Sequence, residues 1–474
     1  MSEQNTKTEK KRNGALLHPM LLLVIIVVLS ALASYVVPAG QYERVMDEEI
    51  GREIVDPTSF TYLERTPVSV FDLLQSLTQG LQEGADVIFF LLIIGGMFSI
   101  LNGTGALNVG MANLLRLLKG KEWMIIPIFM ILFGCGSTFC GNFEEFLVFV
   151  PLIVACCITS GFDSLTAVGI IFLAATAGYG ASITNTFTVG VAQQVCGLPQ
   201  FSGMELRIAL FAALEISAIL FLLRYVRFIR KNPRLSGSYS QDQVYNQDKK
   251  LNLEKIPPFT PRQTLVLVVF GLGIVVAVWG VIAKGFYVNE LSAIFLAVGI
   301  LGGLVGGLLP GEICERFVRG CRDMLLPVLM IGLAHACIIL LNRSNVLDTI
   351  LHGMAGLLRS MPDGLMPIGM LLFHALFHII VPSGSAHASI TMPLMVSLAD
   401  MGGTTRQTAV LAYQLGSSFT NILSPTGGEI LAALAICHVP FGKWLRFILP
   451  LICIWYIISL VFLIIATQYG YGPM

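Results

Sequence analysis

GYGASITNTFTVG at residues 178–190 and GSSFTNILSPTGGE at residues 416–429 each interrupt a long apolar run with Gly, Ser, Thr and Asn at a density no lipid-facing helix would carry. A helix unwound there frees backbone N–H and C=O groups that hydrocarbon cannot satisfy, so the freed groups must face protein or a water-filled cavity. The second stretch adds Pro425 and Gly427-Gly428. Half-helix N-termini would offer partial positive charge to a carboxylate, and freed carbonyls with Asn and Thr side chains would suit Na⁺. The candidate substrate- or ion-binding residues in the two stretches are Ser182, Thr184, Asn185, Thr186, Ser417, Ser418, Thr420, Asn421, Ser424 and Thr426, with Glu429 just beyond the second. The bland alternative is that the hydroxyls bond back to their own helix and the glycines permit close helix packing.

The two stretches belong to one unit written twice. Gly80 to Asn102 reappears near Gly320 to Asn342, and further matches follow in order: Pro127 with Pro367, Pro151 with Pro393, Thr166-Ala167-Val168 with Thr408-Ala409-Val410, Asn185 with Asn421, Pro199 with Pro440, and Leu206-Arg207 with Leu445-Arg446. Weak internal symmetry in a membrane chain marks secondary transporters whose site lies between the repeats near the bilayer midplane.

Membrane residence follows from composition. Charged residues are 12% of 474, against about 25% in soluble domains, and the mean hydropathy is +0.79. Apolar runs of ~20 residues recur, long enough to cross a ~30 Å hydrocarbon layer. The first, Leu16 to Val37, is too long for a signal-peptide core and reads as a retained span. The ten cysteines lie mostly inside apolar runs, as in Cys156-Cys157, Cys337 and Cys453, and read as packing residues without disulfide or zinc spacing.

The placement of Lys and Arg predicts orientation. Lys7, Lys10, Lys11 and Arg12 put the N-terminus in the cytoplasm, and the loop with Glu43, Asp47, Glu48, Glu49, Glu53 and Asp56 outside. Arg224, Arg227, Arg230, Lys231 and Arg234 mark a return inside. The polar linker after them, rich in Ser, Gln and Asn with Pro257-Pro258, is expected to hold little fixed structure. The first repeat opens with the amphipathic stretch Val70 to Glu83 after an outward loop. The second opens with Glu312 to Asp323, carrying Arg316, Arg319 and Arg322, after two extra spans at Gln263 to Ala283 and Asn289 to Leu309. The matched units therefore start on opposite faces. The expected fold is an all-α polytopic membrane protein of two inverted-topology repeats with interrupted helices and about twelve or thirteen spans. The Pro-containing segments (Phe143 to Thr159 and Ala386 to Ala399) are left open between full crossings and re-entrant hairpins. The chain divides into an N-terminal span and loop (1–69), repeat 1 (70–230), a linker (231–262), the extra spans (263–311), repeat 2 (312–467) and a tail (468–474).

Each Pro-containing segment brings polar residues to the mouth of an apolar run. GNFEEFLVFVPL holds Asn142, Glu144 and Glu145, and PSGSAHASITMPL holds Ser383, Ser385 and His387. Carboxylates at membrane depth cost about 2.5–3.5 kcal/mol on insertion scales, so they pair, protonate or bind a cation. One of Glu144 and Glu145 would bind an ammonium or guanidinium group or carry a coupling proton, unless both sit in interfacial water. His387 suits a proton relay or a satisfied buried position. His374 and His378 stand at i and i+4 with no carboxylate beside them, which favours packing over a metal site. Lys and Arg are absent from the expected midspan segments, which weakens any scheme that neutralises a dianion with basic side chains.

Several motifs resemble the YfcC family, within the C4-dicarboxylate anaerobic carrier-like and arginine/ornithine antiporter-like ion transporter group. They are VVPAGQYER (36–44), the Glu144-Glu145 pair before VPL, SITNTFTVGVAQ (182–193), PSGSAHASITMPL (382–394) and RQTAVLAYQLGSSFTNILSPTGG (406–428). The resemblance covers nearly the whole chain. It implies an inner-membrane secondary carrier of amino acids, dicarboxylates or other small carboxylates, with function carried by Asn185, Asn421 and the serines of PSGS. The chain departs from the family pattern at Thr186 (Pro in NPF), at His387 (Gln) and at Gly416-Ser417-Ser418 (GDG), and the last departure removes an acidic residue.

The function expected is secondary active transport of a small charged metabolite by alternating access. An amino acid is favoured, in an exchange like that of arginine and ornithine; an ion-coupled C4-dicarboxylate or other small-carboxylate carrier is the alternative. An intramembrane Ser/His hydrolase built on Ser383, Ser385 and His387 is the distant third, since no GxSxG elbow accompanies them. No catalytic residue, metal site or cofactor is expected beyond Na⁺ or H⁺ as coupling ion. The partners are a small-molecule substrate and the lipid bilayer, with no nucleic acid, and a homodimer stays open. The expected location is the inner membrane, multi-pass, with the N-terminus cytoplasmic.

Overall fold

The computed structural model describes residues 19–47, 52–118, 120–141, 143–246, 260–284, 286 and 288–472. Asn142, the four N-terminal basic residues, Glu48, Glu49, part of the linker (247–259) and the last two residues of the tail lie outside the described residues, as does the side chain of Glu144.

Helix α1 (Pro19–Val36) precedes strands β1 (Gly40–Gln41), β2 (Arg44–Asp47), β3 (Arg52–Val55) and β4 (Thr61–Tyr62), paired antiparallel as β1 with β4 and β2 with β3. Repeat 1 contains α2 (Val70–Glu83), α3 (Ala85–Gly103), α4 (Ala106–Leu117), α5 (Ile125–Cys140), α6 (Val150–Thr159), α7 (Ser164–Ala181), α8 (Val191–Val195) and α9 (Met204–Lys231). The extra pair is α10 (Pro261–Lys284) and α11 (Val288–Val305). Repeat 2 contains α12 (Pro310–Asp323), α13 (Leu325–Arg343), α14 (Leu347–Arg359), α15 (Met366–Ile380), α16 (Gly384–Met401), α17 (Arg406–Leu423), α18 (Gly428–Ile436) and α19 (Phe441–Gln468). Among the described residues seven helices are long and apolar enough to cross a membrane, α7 and α8 counting as one. Side chains such as Phe89, Leu132, Leu220, Ile300 and Ile457 stand exposed along them, as suits a hydrocarbon solvent.

Inverted topology is visible in one contact series. Ser69 and Asp72 form a capping box that starts α2, which runs into α3 through Gly84, while α12 runs into α13 through Met324. The two kinked rods lie side by side. Asp72 pairs with Arg343 at 2.8 Å, and then Gly80 meets Gly332, Gly84 meets Ile331, Gly95 meets Gly320, Gly96 meets Phe317 and Gly103 meets Arg316. As residue numbers rise on one rod they fall on the other, so matched elements run in opposite directions. Gly80 and Gly320 are sequence equivalents, and each lies against the backbone of the opposite repeat. A β-carbon at either would overlap a carbonyl oxygen.

A second contact lies on the symmetry axis. α7 is buried along its whole length and α17 from Gln407 to Ile422. They cross where the Ser418 hydroxyl donates to the Thr176 carbonyl at 2.7 Å. Thr176 and Ser418 share the spacing of the Thr166 and Thr408 match, so each repeat touches its own equivalent here. α10 and α11 pack through Val266, Phe295 and Val298 onto Phe90, Met97 and Leu101 of α3, apart from the main core around α7 and α17.

Two expectations change and one open alternative is decided. The linker is not unstructured throughout: Asp242 accepts from the Ser164 N–H (3.0 Å), the Ser164 hydroxyl and the Ser238 hydroxyl (2.7 Å), and Asp163 accepts from Ser236 and Tyr225 (both 2.6 Å). The serines that read as disorder-promoting supply donors to two carboxylates at the α7 N-terminus, whose free N–H groups favour negative charge. The first Pro-containing segment, left open above, does not cross. α6 has 10 residues, short of the ~20 a span needs, and it folds back along α5 from a turn at Gly141, so that Glu122 before α5 and the Ser160 carbonyl after α6 both meet Arg230. Cys453 is exposed on α19 and packs no core.

Replacing Gly320 by Leu should destabilise the protein by about 1–3 kcal/mol or more through overpacking against Gly95. Gly353→Ala, where the added carbon meets nothing within 4 Å, should be neutral or stabilising. Thermal unfolding of the detergent-purified variants checks both, and equal midpoints would contradict the close crossing.

Candidate functional site

In each repeat a hairpin tip meets a helix break. α7 ends at Ser182, in left-handed backbone at φ 42° and ψ 63°. The tip of the α5–α6 hairpin then receives the freed groups: Ile183 N–H donates to Thr138 Oγ1 (3.1 Å), Thr184 N–H to Thr138 O (3.2 Å), and the Thr184 hydroxyl to Phe139 O (3.0 Å). Asn185 accepts at Oδ1 from Phe187 N–H (2.9 Å) and Thr188 N–H (3.3 Å), and its amide donates to Ser182 Oγ (3.3 Å). Asn185 is therefore the N-cap of the wide helical turn 186–190 that leads into α8. In repeat 2, α17 ends at Leu423. Ser424 and Thr426 pair at 2.6 Å, and Thr426 donates to Ile379 O at the end of α15 (2.8 Å).

The freed carbonyls are satisfied by the closing helices. Arg207, 1% exposed at the start of α9, donates to the carbonyls of Ile183 (3.5 Å), Phe201 (3.1 Å) and Ser202 (2.8 Å). Trp444 at the start of α19 donates its indole N–H to Ile422 O at 2.9 Å. At Ile183 and Ile422 the carbonyl therefore already accepts from a protein donor. Arg207 was visible as a repeat landmark, but nothing in its local sequence announced that it is buried.

The second break is shorter than the sequence suggested. Ser417, Ser418, Thr420 and Asn421 all lie in the unbroken helix α17. Ser417 donates to Tyr413 O (2.8 Å) and Thr420 to Gly416 O and Ala375 O (3.0 Å each). These hydroxyls bond back to helix carbonyls and leave the ladder intact, the bland alternative stated above.

A cavity of about 260 Å³ opens where the tips, the breaks and the two rods converge. Of the expected residues it is lined by Glu145, Ser383, Ser385, Asn421, Thr426 and Glu429. Ser182, Thr184, Asn185, Thr186, His387, Ser417, Ser418, Thr420 and Ser424 do not line it. Glu145 reaches it from the 3₁₀ turn Glu144–Phe149, where its carboxylate accepts from Phe143 N–H at 3.0 Å. Ser383 is the N-cap residue of α16, with no side-chain capping bond. Asn421 Oδ1 accepts from His378 Nε2 at 2.7 Å. The rods add Glu83, Asp86 and His335, and repeat 1 adds Phe143, Tyr179 and Phe187. Sequence reasoning missed Glu83 and Asp86 because they flank Gly84 at an amphipathic helix end, where carboxylates ordinarily face water. Among the described residues no Lys or Arg lines this cavity. A second one, of about 770 Å³, lies between α3, α12 and the far end of α18; it contains Arg316 and Arg319 and none of the expected residues. Among the described residues no group of His, Cys, Asp or Glu is arranged to hold a metal.

The family model DcuC, C4-dicarboxylate anaerobic carrier, matches residues 17–468. YfcC of Escherichia coli, named as a provisionally assigned basic amino acid antiporter, is 32% identical over 98% of this chain and 99% of its own. An uncharacterized protein of Haemophilus influenzae is 31% identical over 89% of this chain and 83% of its own. The crystal structure of the YdaH transporter of Alcanivorax borkumensis aligns with TM-score 0.44 at 15% identity, over 96% of this chain and 100% of that one.

Because Asn185 acts as a cap, Asn185→Ala should cost about 1–2 kcal/mol of stability. Asn185→Asp, which keeps the accepting oxygen, should cost less. Thermal melts compared with uptake by the same samples check this; a fully stable Asn185→Ala protein that has lost uptake would show that Asn185 meets the substrate instead.

Proposed function

Since the chain belongs to the C4-dicarboxylate anaerobic carrier family, whose members are transporters, we propose that its substrate is a small metabolite bearing an ammonium or guanidinium group, a basic amino acid, moved by exchange across the inner membrane with the N-terminus cytoplasmic. One observation carries this reading. Among the described residues, the cavity between the breaks is lined by four carboxylate side chains, Glu83, Asp86, Glu145 and Glu429, and by no Lys or Arg.

Charge decides between the substrate classes. Two unit charges 4 Å apart interact by about 4 kcal/mol at the effective dielectric near a protein surface. A dicarboxylate would meet that repulsion from each ionised wall carboxylate without a guanidinium to offset it, whereas a cation would gain the same amount. The substrate's own carboxylate needs neutral donors, and Ser383, Ser385 and Asn421 are in reach. The name of the Escherichia coli relative, basic amino acid antiporter, agrees with this choice. The family's name, which speaks of C4-dicarboxylates, does not.

Proteoliposomes carrying the purified protein should take up labelled arginine and ornithine in exchange, and neutral amino acids and succinate at least about tenfold more slowly, with imposed Na⁺ and proton gradients identifying any coupling ion. Glu145→Gln should raise the KM for arginine about tenfold, the loss of one charge-assisted contact. Succinate uptake that exceeds arginine uptake would sink the proposal.

A further inference from the structure

Three histidines behind the cavity form one hydrogen-bonded chain. His374 and His378, one turn apart on α15, and His387 on α16 are completely buried. His374 Nδ1 lies 2.9 Å from His387 Nε2, His387 Nδ1 lies 3.0 Å from His378 Nδ1, and His378 Nε2 lies 2.7 Å from Asn421 Oδ1. The titratable groups facing the rings are the rings themselves and Tyr413, which packs 5.3 Å from both His374 and His387 and donates its hydroxyl to Gly384 O. No ion pair to any of the three occurs among the described residues. A charged imidazolium there would lack a counter-ion, so the rings are neutral.

Neutrality gives the chain one direction. Each neutral ring carries a single N–H. An amide oxygen only accepts, so His378 holds its proton on Nε2 and accepts at Nδ1; His387 then donates from Nδ1 and accepts at Nε2; His374 donates from Nδ1. His374 Nε2 is left as a bare acceptor, and it has no partner among the described residues. The opposite direction would leave a partnerless buried N–H at the same end, the rarer and costlier defect.

We infer that this histidine triad is a positioning device that turns the Asn421 amide so that its oxygen is held by His378 and its NH₂ points into the cavity as a donor for the carboxylate of the substrate. The role assigned to the carboxylate rests on the cation-bearing amino acid proposed above; the direction of the chain does not. Asn421 is 6% exposed, and its side chain's only bond among the described residues is the one to His378. In a cavity lined by no Lys or Arg among the described residues, a preset amide donor supplies recognition that an amide free to flip would share with acceptor states. Asn185, matched to Asn421 by the repeat, bonds to no histidine among the described residues and serves as a cap, so the triad is what distinguishes the two.

Uptake of arginine and of agmatine, which is arginine without its carboxylate, tests the device in proteoliposomes. His387→Leu cuts the chain and should raise the arginine KM about tenfold or more while the agmatine KM stays within about twofold. His387→Gln, whose oxygen accepts from His374 and whose NH₂ donates to His378, should retain most of the wild-type arginine KM. Equal effects on both substrates, or Gln no better than Leu, overturn the inference. Nitrogen NMR of wild-type protein labelled in its histidines, with rings assigned by single His→Gln changes, should find protons on Nδ1 of His374 and His387 and on Nε2 of His378 between about pH 6 and 8. Imidazolium or reversed tautomers in that range overturn it equally. If the wild type carries neither substrate, the basic amino acid reading falls, and the ring tautomers alone decide the direction of the chain.

Discussion

Every backbone group freed by a broken helix inside hydrocarbon must find a partner, and the architecture is organised around meeting that demand twice. The Thr138 side chain and backbone receive the N–H groups of Ile183 and Thr184, Asn185 caps the restart, and Arg207 takes the carbonyls. On the other side Ser424 and Thr426 pair, Thr426 ties to α15 and Trp444 takes Ile422 O. Each break is held by a hairpin tip and by the closing helix of its own repeat. Because each unsatisfied group would cost several kcal/mol, tip and break must stay together, and a cavity formed beside them inherits fixed walls.

Glycine makes the other half of the scaffold. The rods α2–α3 and α12–α13 approach until backbones touch at Gly80 with Gly332 and at Gly95 with Gly320. Without a hydrophobic driving force between helices in lipid, such close packing is a main source of association. The rods contribute Glu83, Asp86 and His335 to the cavity while the breaks contribute Asn421, Thr426 and Glu429. The site is thus shared by two differently built bodies, one packed through glycine and one stitched by hydrogen bonds.

The matched asparagines show how the duplicated unit has diverged. Asn185 spends its side chain on Phe187, Thr188 and Ser182, whereas Asn421 is an uncapped helical residue backed by His378. Internal symmetry located both positions, but the local partners set two different jobs. The same holds for the hydroxyls: Thr184 and Thr426 bond to hairpin tips, while Ser417 and Ser418 bond to helix carbonyls.

The sequence by itself determined that the chain lives in a membrane, that it is two copies of one unit, that the copies are inverted and that each is broken near Asn185 and Asn421. These are properties of composition, order and charge placement, which the hydrocarbon solvent translates directly into structure. It could not say where each break ends, because hydroxyls that unwind a helix and hydroxyls that bond back to it are spelled alike. Nor could it bring Glu83 and Asp86 to Glu145 and Glu429, or join His374, His378 and His387 behind Asn421. Only the tertiary structure decided these, since such contacts arise from the crossing of helices far apart in the chain, and no local pattern records which faces will meet.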